Sequence, residues 1–144
     1  MRYNTFISIM LILFAVLYPL NIFADSQDII IIGNKNAADS VTKGEIKEIF
    51  LGHKTRWENN ESLSFVLFRD EKTYETFLKE YIGKTVSQYS SYWKMQVFNG
   101  TGRMPIFFRD KAEIMEFVSE TQGAVGFVSS GNISTDKVKI LNVK

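Results

Sequence analysis

The sequence predicts an α/β domain of three layers, a mixed, mostly parallel sheet flanked by helices. Three observations carry that expectation. Short apolar runs rich in β-branched residues, Ile29-Ile30-Ile31-Ile32 foremost, read as strands covered on both faces. Amphipathic stripes at helical spacing lie between such runs, clearest at Tyr74, Phe77, Leu78, Tyr81 and Ile82. Both kinds of segment share one chain with no repeat, no low-complexity tract and no linker long enough to divide it.

The elements follow in order. Residues 28–33 form the first strand, and a polar loop runs from Asn34 to Ser40. Thr42 and Glu45 have capping-box spacing, so a helix starts there, with Ile46, Ile49 and Phe50 on its apolar face and Gly52 as its stop. Residues 65–68 make a second buried strand, and Asp70 can cap the helix that carries the Tyr74–Ile82 stripe, which Gly83 ends. A third helix begins near Ser87, with Tyr89, Tyr92, Trp93 and Val97 expected inward. A flexible loop spans Asn99 to Gly102. Asp110 and Glu113 repeat the capping spacing ahead of Ile114, Phe117 and Val118. Residues 123–128 form a strand entered through glycine, and residues 138–143 alternate as a last, half-exposed strand.

Residues 1–24 stand apart and read as a secretory signal. Arg2 supplies a positive start, an apolar run extends from Phe6 to Leu20, and Ala24 is a small residue at the expected cut. A membrane anchor is the competing reading, but the run is shorter than the roughly 18–20 apolar residues of a span. Residues 25–144 would then be the mature domain, with no stable membrane span, and in a cell with two membranes its place would be the periplasm.

Composition excludes whole classes. The 144 residues are 45% hydrophobic and 23% charged, a globular balance with 12 Phe, 6 Tyr and 2 Trp to fill a core. Seventeen basic against 16 acidic residues give a net charge of +1, which argues against nucleic acid as a partner. The chain has no cysteine and one histidine, which removes disulfides, thiol nucleophiles and two-His metal motifs. His53 follows a helix end beside no recognisable nucleophile, so no enzyme, no metal and no cofactor is expected.

One place has a physical case for binding. A strand runs into Arg69 and a helix begins directly after it. A guanidinium and free backbone N–H groups together favour an anion. Arg69 is the expected anchor, with Lys72 at the helix start and Thr73 adding a hydroxyl. The alternative is that Asp70 merely caps the helix and Arg69 pairs with a neighbouring carboxylate.

Two segments carry a resemblance. Residues 41–57, with Glu45-Ile46-Lys47-Glu48-Ile49-Phe50-Leu51-Gly52 at their centre and Trp57 at their end, resemble the "L-s-x-x-E-L-x-x-I-F-L-G-K-x-x-x-W" segment of phosphate ABC-transporter substrate-binding proteins. Gln122-Gly123-Ala124-Val125-Gly126-Phe127-Val128 looks like that family's "P-G-A-I-G-Y-V" strand. The resemblance implies a short, single-lobe branch of the periplasmic-binding-protein-like superfamily. It implies phosphate or a similar oxyanion as ligand and an ABC permease or another envelope protein as partner. Against the family's phosphate motif R-S-D-G-S-G-T-T, the matching stretch here is Arg69-Asp70-Glu71-Lys72-Thr73-Tyr74. Arg69 carries over; the Ser-Gly-Thr donors do not. The competing function is an accessory or protein-interaction module that kept the fold and lost the ligand.

Overall fold

A five-stranded mixed sheet organises the chain, with residues 106–108 at one edge and then, in order across it, residues 64–68, 124–129, 29–33 and 139–140. The computed structural model describes residues 28–144, so the expected signal segment lies outside the described residues. The elements are β1 (Ile29–Gly33), β2 (Ser40–Val41), α1 (Lys43–Phe50), β3 (Ser64–Phe68), α2 (Glu71–Phe77) running into a π-helical turn (Leu78–Ile82), α3 (Val86–Phe98), β4 (Ile106–Phe108), α4 (Lys111–Glu120), β5 (Ala124–Ser129), β6 (Lys139–Ile140) and β7 (Asn142–Val143).

The sheet has two halves. β4, β3 and β5 run parallel, with Phe68 opposite Phe108 and Phe65 opposite Val125. β1 lies antiparallel to both β5 and β6. The residues expected as one last strand serve two sheets. β6 pairs with β1, the buried Leu141 interrupts, and β7 pairs in parallel with β2 in a separate two-stranded sheet.

Side-chain alternation along β5 sets the layers. Val125 and Phe127 point to one face, where Phe127 stacks on Phe77 of α2 at 3.7 Å and meets Phe50 of α1 at 5.8 Å. Gly126 points to the other, and a Cβ there would lie 3.2–3.3 Å from Val66 and Ile114. α4 therefore sits close on the second face, and the three layers follow. The turn into β5 requires glycine. Gly123 has φ +71°, and a Cβ would fall 2.0 Å from the Ser62 carbonyl oxygen.

Local chemistry explains the helix starts. Thr42 accepts from the Glu45 amide while the Glu45 carboxylate accepts from the Thr42 amide. Thr85 and Gln88 build the same box on α3. Asp70 and Asp110 cap α2 and α4. α3 buries Tyr89 and Trp93, but Val97 is 42% exposed rather than inward, and Phe98 is 90% exposed. Gly100, with φ +71°, and the turn at Thr101 end the helix just beyond these two residues.

Candidate functional site

Two strands and two helices meet at the same tripeptide. Phe68-Arg69-Asp70 leaves β3 for α2, and Phe108-Arg109-Asp110 leaves β4 for α4. The strands are parallel and in register here, and the Arg69 amide donates to the Phe108 carbonyl at 2.7 Å. Two arginines thus emerge side by side at the C-terminal ends of neighbouring parallel strands, where open α/β sheets place their ligands. The Arg69 guanidinium carbon lies 4.3 Å from the centre of the Phe107 ring, and that of Arg109 lies 5.9 Å from the same ring. Tyr74 of α2 closes the other side at 5.6 Å from the Arg69 guanidinium.

Arg69 lines a small cavity of about 80 Å³. Its walls are Leu67, Tyr74, Tyr89, Ser90, Trp93, Met104, Pro105 and Phe107. Among the described residues no carboxylate is ion-paired with Arg69 or Arg109. The alternative expected at this junction is met in one part: Asp70 caps α2, while Arg69 has no carboxylate ion pair among the described residues. Burial raises the Tyr74 hydroxyl above the ordinary tyrosine value, and the adjacent Arg69 opposes that rise by a hydrogen bond and its charge. The Tyr89 hydroxyl donates to the Phe50 carbonyl at 2.6 Å, and burial keeps it protonated far above neutral pH.

The three expected site residues part company. Arg69 reaches the cavity. Lys72 lies exposed on the first turn of α2 and does not line it. Thr73 is fully buried, and both its amide, at 3.2 Å, and its hydroxyl are donated to the Asp70 carboxylate. The start of α2 is thereby satisfied from within by its own cap. Arg109 is the residue that sequence reasoning passed over. The available signal was the repeated Phe-Arg-Asp, which gains meaning only once residues 106–108 are read as a strand.

Two other places bear comparison. A wider, polar hollow of about 530 Å³ lies between the Asn36–Thr42 loop, Trp57–Asn59 and Lys144. Its main charges are already matched: Lys54 donates to Glu45 at 2.5 Å, and that bond, with the Thr42 amide, holds the Glu45 carboxyl at about 2. His53, half exposed, has Nδ1 at 3.0 Å from Glu48 and Nε2 at 3.2 Å from the Tyr92 hydroxyl. That hydroxyl gives its proton to the Leu51 carbonyl at 2.7 Å, so the trio fixes the Gly52 turn against α3. Among the described residues no group of three or more His, Asp or Glu could hold a metal, and no helix is long and apolar enough to cross a membrane.

The fold, with this sheet order and these flanking helices, is one that solved structures share. An ABC-type phosphate transport receptor from Vibrio cholerae matches with a TM-score of 0.62 at 18% identity, over 81% of this chain and 46% of its own. PstS from Borrelia burgdorferi matches with a TM-score of 0.61 at 19% identity, over 82% and 47%. A candidate phosphate ABC transporter substrate-binding protein from Clostridium perfringens, solved with bound phosphate, matches with a TM-score of 0.61 at 19% identity, over 81% and 45%. This chain therefore spans less than half the length of each. No protein-family model and no curated protein sequence matches it.

Proposed function

We propose that this chain is an exported binding protein whose α/β lobe holds a small oxyanion at Arg69. One observation carries the reading: a guanidinium without a carboxylate partner lines a cavity at the C-terminal ends of parallel strands. Two of its structural neighbours, described as phosphate-transport proteins, support the same class of ligand. Phosphate is the ligand the resemblance names, and an ABC permease or another envelope protein is the partner it implies. The reading needs neither a chemical step nor a cofactor. Residues 1–24 act as a cleavable signal that delivers the domain to the periplasm. Lys72 contributes long-range charge, and Thr73 orders the Asp70 cap.

Residues 28–144 by themselves cover a ligand at Arg69 from one side, so their own affinity is weak, about millimolar, or roughly 4 kcal/mol. Calorimetric titration with phosphate and sulfate at low salt tests the site. Weak heats that disappear in Arg69→Ala, with the melting temperature little changed, are expected. Mass spectrometry of the exported protein tests the signal, with a mature start at or near Asp25 expected and an intact Met1 on a membrane-bound product against it.

A second reading has its own observation. Phe98 is 90% exposed, Met95 62%, and Ile106 53% on the edge strand β4. That is more exposed apolar surface than one anion needs, and it suits a protein-interaction module. Absence of any heat with either anion would move the function to this reading.

A further inference from the structure

The cavity beside Arg69 has walls of unusual chemistry for a multiply charged ion, and this inference rests on the binding reading above. A phosphate ion carries up to two negative charges near neutral pH, and burying them requires several hydrogen-bond donors. Arg109, beside Arg69, does not line the cavity, and two nearby donor residues are committed elsewhere. The Thr73 amide and hydroxyl go to Asp70, and the Tyr89 hydroxyl goes to Phe50. Most of the remaining wall is carbon, from Leu67, Trp93, Met104 and Pro105.

What remains fits another anion. The Arg69 guanidinium carbon sits over the Phe107 ring, 4.3 Å from its centre. A guanidinium face carries no donor; its five N–H groups point outward in the plane. The planar edge suits a planar, two-oxygen acceptor, and a carboxylate has that shape. Ser90 adds a hydroxyl at the wall. Trp93, 5% exposed, turns its indole N–H toward the Tyr89 hydroxyl oxygen, whose own proton goes to Phe50, and so gives the cavity ring carbon rather than a donor. The cavity is small, about 80 Å³ against the roughly 300–1,000 Å³ of ordinary ligand pockets. It has room for a short chain and none for a sugar or a nucleotide.

We infer that the ligand is a small organic monocarboxylate with a short apolar tail: the carboxylate lies in the Arg69 fork and the tail lies on Leu67, Trp93 and Met104. Inorganic phosphate is then a poorer ligand than the resemblance implies.

The experiment titrates the purified protein with sodium butyrate and with sodium phosphate at pH 7 and matched ionic strength. Amide, Arg Nε and Trp indole resonances are followed by NMR. Butyrate is expected to bind at least tenfold tighter than phosphate and to move the Trp93 indole signal. Arg69→Lys keeps the charge and removes the planar fork, so it should weaken butyrate tenfold or more while the remaining spectrum stays folded. Met104→Ala lengthens the cavity and should shift preference from butyrate toward hexanoate. Phosphate binding as tight as butyrate, with both lost in Arg69→Ala, overturns the ligand class and leaves oxyanion binding standing. Butyrate binding unchanged in Arg69→Lys overturns the fork. No shift with either ion overturns the inference together with the reading beneath it.

Discussion

The two halves of the sheet use the same residue types for opposite ends. In the antiparallel half, β1 and β5 bury Ile31, Ile32, Val125, Phe127 and Val128 to 1% exposure or less. At the parallel edge, β4 leaves Ile106 53% and Phe107 44% exposed. Phe127 is sealed by Phe77 and Phe50; Phe107 has the Arg69 and Arg109 guanidiniums beside it. The difference teaches where stability and recognition divide. Aromatic area removed from water on both sides holds the fold, whereas a ring left half open can order a charge that still meets a ligand.

The most severe way to break the comparison lies in the closed half. Val125 is 1% exposed on β5, opposite Gly33 and Phe65. Val125→Asp puts an unpaired carboxylate there, at a cost of several kcal/mol, on the order of the whole stability. Circular dichroism should show an unfolded chain; a folded variant with an unchanged melting temperature would contradict the layer assignment. Phe127→Ala comes next. It removes a ring stacked at 3.7 Å and should cost about 3–5 kcal/mol, read as a lower midpoint in urea with an unchanged slope.

A smaller effect sits on the rim of the closed half. The Lys54 bond and the Thr42 amide hold the Glu45 carboxyl at about 2, below its ordinary value of 4.5. A carboxyl lowered on folding gives its full stabilisation above the unfolded value. That stabilisation is lost as pH falls from about 4.5 through about 2. Glu45 keeps 32% of its side chain exposed, so solvent screening limits the contribution to about 1 kcal/mol. Glu45→Gln should flatten this part of the stability–pH curve. Urea midpoints at pH 5, 3.5 and 2.5 check it, and parallel curves for the two proteins would remove Glu45 as the cause.

How much of this was legible depends on how local the cause is. The Thr42–Glu45 box, the Asp70 and Asp110 caps, and the buried strands β1, β3 and β5 were readable, because each depends on residues within a few positions or on an unbroken apolar run. The mixed sheet between helices followed from them. β4 was not readable. It has three residues, two of them exposed, and it exists because β3 offers a parallel partner forty positions earlier in the chain. The tail at residues 138–143 showed alternation but not that its two pieces join different sheets. The site divided in the same way. Arg69 stood at a strand–helix junction visible in the sequence. Arg109 stood at one that needed β4, and the carbon walls of the cavity came from Trp93 and Met104, which only the fold brings to Arg69.

Phe107→Ala is the mildest change and the one that tests the division most directly. The ring is 44% exposed on an edge strand, so little buried area is lost. Its contact with Arg69 is a partly exposed cation–π pair, worth about 0.5–1 kcal/mol. Stability should therefore fall by no more than about 1 kcal/mol, against about 3–5 for the same substitution at Phe127. Binding should respond differently. Without the ring beneath it, the guanidinium gains rotamers, and holding it in the cavity costs conformational entropy that the parent does not lose on binding. Anion affinity should drop severalfold in Phe107→Ala and stay unchanged in the exposed-edge control Ile106→Ala. Urea midpoints and anion titrations on the two variants check both halves of the statement. A Phe107→Ala protein as destabilised as Phe127→Ala would make β4 part of the core. One that binds like the parent would leave Arg69 ordered by Tyr74 alone.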